Sequence, residues 1–206
     1  MKTVAKIFSA ELEGIQAKLI EVEVDINVGL HSFNVVGLAD KAVSEAKERI
    51  GAALKNTGIK SPTKENKRIT VNLAPADIKK TGSQFDMSMC LGYLLASGQI
   101  KPFIADDKIF CGELSLDGSF RRINGALNIA KLAEKNKFKY LFVSRDSSAE
   151  AALIKNVVVI PVANLKELID HLEERNLIIP QTPVEFQAMA VNRSGQPLLE
   201  EIKGQE

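Results

Sequence analysis

Polar and apolar positions alternate along the first part of the chain. In "QAKLIEVEVDINVG" the apolar residues Leu19, Val22, Val24, Ile26 and Val28 fall mostly on every second position. That period places them on one face of a half-buried strand. "AKIFSAELEG" precedes this run, and Gly14 marks the turn between them. "HSFNVVGL" reads as a third short strand, so three strands without an intervening helix predict an antiparallel meander. The period then changes. Between Asp40 and Thr57 the apolar residues are Ala42, Val43, Ala46, Ile50, Ala53 and Leu54, a helical stripe. Asp40 suits the N-cap and Gly58 the C-terminal stop. Glu45 and Arg49 are spaced for an i,i+4 pair on the exposed side.

Further along, 61–68 reads as a polar loop and "ITVNLAP" as a strand ending at Pro75. Residues 85–97 predict a largely buried helix stopped by Gly98. "KIFCGELSLDGSFRRI" predicts a hairpin with Asp117-Gly118 at its tip. Next come a helix over 125–136, the strand "YLFV", a short helix near 148–154, the strand "VVVIPV" and a helix from about 165 to 175. Strand and helix alternate here as in α/β units. Three of the seven prolines (Pro180, Pro183 and Pro197) lie in the last 27 residues, where no sustained apolar period appears. The expectation is one domain over 1–179, a linker over 180–197 and the start of another module at 198–206.

Composition narrows the function classes. The chain has 206 residues, 45% of them hydrophobic, and a formal net charge of +1. A core is affordable, but there is no global attraction to nucleic acid or membrane, so any polyanion contact must be local. No apolar run approaches a membrane span, and the charged, alternating start is not a signal peptide. The two cysteines, Cys90 and Cys111, lie in apolar segments, so a reducing, cytoplasmic setting is expected. The two histidines are far apart, and no Cys/His cluster has metal-ligand spacing. There is no G-x-x-x-x-G-K-[ST] and so no P-loop.

Two constellations carry candidate chemistry. In "KKTGSQFDMSMCLG" (79–92) a serine follows a turn glycine at a helix start with two lysines nearby. A serine–lysine pair needs those types, because a desolvated amine can act as base to the hydroxyl. The bland alternative makes Ser83 a turn residue and the lysines solvated. Asp86, near the helix start, suits the helix dipole. The second constellation is basic: Lys64, Lys67, Arg68, Lys79, Lys80, Arg121 and Arg122, which would form a phosphate-binding surface if their loops converge. Aromatics are only 5% of the chain and none lies within 55–68, so no base-stacking platform is indicated there.

The stretches "FNVVGLADKAVSEAKERIGAALKNTG", "ITVNLAPADIKKTGSQFDMSMCLGYLLASGQI" and "GELSLDGSFRRINGAL" resemble the N-terminal domain of the magnesium-chelatase-related AAA+ ATPases, the YifB/ComM group. "LLEEIKGQE" at the end is similar to the segment that opens their ATPase module. The resemblance implies a mixed-sheet α/β (α+β) fold like the proteolytic domain of Lon and domain 2 of ribosomal proteins, in two layers with antiparallel strands at the N-terminus. It also implies a ring hexamer, ATP and magnesium bound by the separate ATPase module with no cofactor in this part, and DNA as the partner of a branch-migration motor. Lon-type peptidases carry K-D-G-P-S-A-G with the serine four residues after the lysine. Laid on this sequence, Lys80 matches that lysine and Gln84 takes the nucleophile position. Ser83 falls one residue early, a turn of about 100° at a helix start. The partner lysine of P-I-G-G-L-K falls on Leu127. The resemblance therefore implies a peptidase scaffold without its dyad, acting as a non-catalytic accessory domain. A diverged serine peptidase using Ser83, and a docking domain for a chelatase-type complex, are the alternatives.

Overall fold

The computed structural model describes residues 4–62 and 66–185. Strands β1 (Ala5–Glu13) and β2 (Gln16–Val28) form an antiparallel hairpin in register from Ala5↔Val24 to Glu13↔Gln16. The next strand, β3 (Ser32–Val36), does not extend a meander. It pairs in parallel with β4 (Lys67–Ala74), which lies between β3 and β2. The intervening segment, helices α1 (Lys41–Ser44) and α2 (Ala46–Asn56), forms the crossover that parallel strands require. Asp40 caps α1 as expected, its carboxylate accepting from the Val43 N–H at 2.8 Å. Gly58 adopts a positive φ of 75° just past α2.

Helix α3 (Asp86–Ala96) is buried over most of its surface. Gly92 brings it against the sheet, since a Cβ there would lie 2.5 Å from Val24 Cγ2. The predicted hairpin then divides. β5 (Lys108–Cys111) joins the main sheet beside β1, and only β6 (Glu113–Leu114) and β7 (Phe120–Arg121) pair around the Asp117-Gly118 turn. Helix α4 (Ala126–Lys135), β8 (Tyr140–Ser144), α5 (Arg145–Ala151), β9 (Val158–Val162) and α6 (Leu165–Leu172) follow. The seven-stranded sheet has the order β3-β4-β2-β1-β5-β8-β9, and only β2 runs against the rest. The fold is mixed α/β.

Strand alternation sorts the core into two clusters. Ile7, Ile20, Val22, Val24, Ile69, Val71 and Leu73 point to one face and pack with α2, α3 and α6. Phe8, Ala10, Leu12, Ala17 and Leu19 point to the other and pack with α4 and α5. The β1–β5–β8–β9 half thus carries helices on both faces. Past α4 the second face of β2 and β4 is polar, with Lys6 on Glu21 and Asn72 on Glu23.

Domain packing continues beyond the expected boundary at 179. The Gln181 N–H donates to the Val159 carbonyl at 2.8 Å, and the Val184 N–H to the Ala152 carbonyl at 3.1 Å. The rest of the expected linker and the tail at 198–206 lie outside the described residues.

Candidate functional site

All strands except β2 run the same way, so their carboxyl ends gather at one end of the sheet. In open α/β sheets that end is where ligand crevices form. The turn Lys79–Gln84 arrives there after β4. Backbone bonds from the Lys80 N–H to the Leu38 carbonyl (3.1 Å) and from the Asp40 N–H to the Lys80 carbonyl (3.0 Å) fix its entry. Its exit is α3, whose Met87 N–H donates to the Gly112 carbonyl at 3.1 Å. A cleft of about 270 Å³ lies over it, lined by residues that include Glu11, Gly82, Ser83, Gln84, Glu113 and Arg122.

Three carboxylates hold this turn. Glu11, on β1 and 2% exposed, accepts from the Thr81 N–H and hydroxyl, each at 2.9 Å, and from the Gln84 amide at 3.2 Å. Burial pushes its carboxyl above the ordinary range, and the Thr81 bonds oppose the rise. Asp40 accepts from the Gly82 N–H at 3.4 Å. Ser83 donates its hydroxyl to Glu113, and Glu113 also faces Arg121 at 3.5 Å. Ser83 is therefore bonded to a carboxylate rather than to an amine.

Below the turn, Asp86 opens α3 with no exposed surface. Arg49 grips it with two bonds, Nε at 2.6 Å and Nη2 at 2.9 Å, and also donates to the Ala42 carbonyl. The Leu114 N–H adds a bond to Asp86 at 3.1 Å. Burial raises the Asp86 carboxyl, and Arg49 pulls it back. The expected Glu45–Arg49 pair is not formed. Arg49 turns inward to the buried carboxylate, and Glu45 faces Lys41 instead. Asp86 does sit at the helix start, but its main partner is the guanidinium.

The basic positions do not converge. Arg122 lines the cleft, Arg121 stands beside it on Glu113, and Lys79 is exposed at the start of the turn. Lys67 and Arg68 begin β4, at the other end of a strand about 23 Å long. Lys80 is a correction: it is fully buried, its ammonium donates to the Pro75 carbonyl, and burial lowers its pKa. It is a structural donor and not a phosphate contact. The bridge between Ala39 and Lys80 extends the backbone there, so neighbouring side chains point opposite ways and only Lys79 faces solvent. Lys64 lies outside the described residues.

At the second dyad position, Leu127 is in the first turn of α4, and its N–H donates to Glu150 at 3.1 Å. Neither Gln84 nor Leu127 offers a group that takes a proton near neutral pH. Among the described residues, no three His, Cys, Asp or Glu side chains converge as metal ligands, and no helix is long and apolar enough to cross a membrane. Sequence reasoning missed Glu11, Arg49 and Glu113 as the frame of the turn. Their separations, such as 37 residues from Arg49 to Asp86, leave no local signal.

The family model for subunit ChlI of magnesium chelatase matches residues 22–147. The competence protein ComM of Haemophilus influenzae is 34% identical over 206 residues, covering 99% of this chain and 40% of that protein. The uncharacterized protein YifB of Escherichia coli is 34% identical over 193 residues, 94% of this chain and 37% of its own length. YifB of Salmonella typhimurium is 36% identical over 141 residues, 68% of this chain and 27% of its own. The chain thus spans well under half the length of these relatives.

Proposed function

Since the chain belongs to the magnesium-chelatase ChlI family, in its ComM/YifB group, we propose that it is the non-catalytic accessory domain of a ComM/YifB-type AAA+ ATPase. It contributes to assembly of a hexameric ring and to engagement of DNA by a branch-migration motor. ATP and magnesium are handled by the ATPase module, outside this chain, and the setting is the cytoplasm.

One observation carries the non-catalytic half of this reading. The only serine in the turn donates to Glu113, and the nearest lysine in sequence, Lys80, is spent on the Pro75 carbonyl. A serine nucleophile needs a base that removes its proton and a second group that orients that base. Ser83 has a carboxylate shared with Arg121 beside it in place of an amine, and the Lon-type positions hold Gln84 and Leu127. The same frame suits a rigid scaffold: Glu11, Asp40 and Glu113 each tie the turn to a different segment of the chain.

The DNA half rests on the family and on surface cations: Arg121 and Arg122 at the cleft, Lys79 exposed at the start of the turn, and Arg68 exposed at the far end of β4 with Lys67 half-buried beside it. The full-length protein tests the reading through DNA-stimulated ATP hydrolysis and branch migration, with and without residues 1–185. Loss of DNA stimulation on deletion, with basal hydrolysis kept, is expected. Undiminished stimulation without the domain sinks the proposal.

A further inference from the structure

A dense run of cations lies on α4 and the turn after it. "KLAEKNKFK" places Lys131, Lys135, Lys137 and Lys139 within nine residues, all exposed, against the single acid Glu134. Glu134 is engaged by the Asn156 amide at 2.7 Å. None of the four ammonium groups forms an ion pair with a carboxylate among the described residues. Asp107, whose charge reaches Lys139, pairs with Lys108 at 2.5 Å, and the Lys139 ammonium lies over the Tyr140 ring at 5.0 Å. The face of α4 opposite its buried side (Ala126, Ile129, Ala130 and Ala133) is the one that carries Lys131 and Lys135.

Two features of this run work against folding. Lys131 and Lys135 stand one helical turn apart, a like-charge spacing that destabilises a helix. Lys137 adopts a left-handed φ of 63°. It closes α4 with the Lys137 N–H on the Glu134 carbonyl (3.1 Å) and the Phe138 N–H on the Ala133 carbonyl (2.9 Å). Glycine is the favoured residue at that position, because an L side chain there is strained. A lysine near a helix C-terminus interacts well with the helix dipole, which accounts for Lys135 alone. The remaining cost is explained if the charges themselves are used.

We propose that Lys131, Lys135, Lys137 and Lys139 form a contact for the phosphodiester backbone of DNA, a second anchoring surface separate from the Arg121–Arg122 group. This rests on the DNA-engagement reading above and adds to it the surface involved. Lys131 and Lys135 are about 6 Å apart along the helix axis, close to two 3.4 Å steps along one strand of a duplex. Asn128, one turn before Lys131 and without a side-chain partner among the described residues, adds an amide that can donate to a phosphate oxygen. No aromatic ring is exposed on this ridge, so the contact is to backbone and not to bases.

The test measures duplex binding by this chain through fluorescence anisotropy across salt concentrations, for wild type, the fourfold Lys→Gln variant and Lys137→Gly. The fourfold variant should lose about tenfold or more in affinity, and the slope of log K against log salt should flatten by up to about 3.6, at about 0.9 per phosphate contact. Lys137→Gly should bind more weakly yet melt about 2–4 °C higher, through relief of backbone strain. A purely structural lysine would not weaken binding while its loss raised stability. A fourfold variant that binds like wild type overturns the surface and leaves the DNA reading intact. Wild type that binds no duplex at low salt, with Arg121 and Arg122 in place, overturns both. Polyglutamate of equal charge bound more tightly than DNA would assign the row to an acidic protein and overturn the proposal.

Discussion

Removing Arg49 is the sharpest perturbation of the turn that the structure offers. Asp86 has no exposed surface, and the Arg49 side chain is 20% exposed. The pair is bidentate, at 2.6 and 2.9 Å, and it joins α2 to α3, with the Leu114 N–H on the same carboxylate. Arg49→Met keeps most of the packing and strands a buried carboxylate with a single remaining N–H donor. Breaking a buried pair in this way costs about 3–5 kcal/mol. The double variant Arg49→Met/Asp86→Leu strands no charge and should recover most of that, leaving about 1–2 kcal/mol for the unpaired Leu114 N–H and Ala42 carbonyl. Urea unfolding of wild type, both single variants and the double completes the cycle. The sign with pH is fixed as well. Asp86 is already raised by burial, and without Arg49 it rises further. The variant then binds a proton in the folded state that the unfolded chain releases, so it regains stability as pH falls through that raised pKa. A coupling energy below about 1 kcal/mol, or a loss that does not shrink in acid, would refute the reasoning.

Glu11 behaves in the same direction: its folded pKa is raised, so its titration lowers stability as pH climbs from the ordinary carboxylate value through the folded one. Thermal melts of Glu11→Gln should show that part of the pH profile flattened. Lys80 has a lowered folded pKa, so folding releases its proton below the ordinary lysine range and stability gains as pH rises toward 10.5. Lys80→Met should abolish that alkaline gain in the same melts. Gly37 sits at φ 104°, with the Leu73 carbonyl oxygen 2.2 Å from where a Cβ would be. Gly37→Ala should therefore cost more than about 2 kcal/mol by urea unfolding. A fluorophosphonate probe should leave Ser83 unlabelled, as read by mass spectrometry of the intact chain, and stoichiometric labelling would restore the peptidase reading.

Local pattern carried much of the fold. The period of two in β2, the Asp40 cap, Gly58 and Gly98 at helix ends and the Asp117-Gly118 turn were all legible, because each is decided within a few residues. The pairing of β3 was not. A short alternating strand looks the same whether its neighbour is β2 or β4, and the choice depends on a crossover that returns thirty residues later. The buried state of Lys80 was hidden for a related reason. Two adjacent lysines read as solvated, yet an extended backbone turns one outward and the other under the turn. Ser83 was legible as a turn residue, but its partner Glu113 lies 30 residues on. The lysine row of 131–139 was visible in the sequence and is spread thinly enough to pass as an ordinary helix surface. Only its exposure, its lack of carboxylate partners and the left-handed Lys137 set it apart.

The central claim is that this domain is a DNA-engaging scaffold rather than a peptidase. Its most direct test is the equilibrium binding of labelled duplex and branched DNA to the wild-type chain between 50 and 200 mM salt. The account predicts measurable binding at the low end, with a slope of log K against log salt steeper than about −2, as several phosphate contacts require. Absence of binding to either DNA at the lowest salt, or binding that salt leaves unchanged, would contradict it.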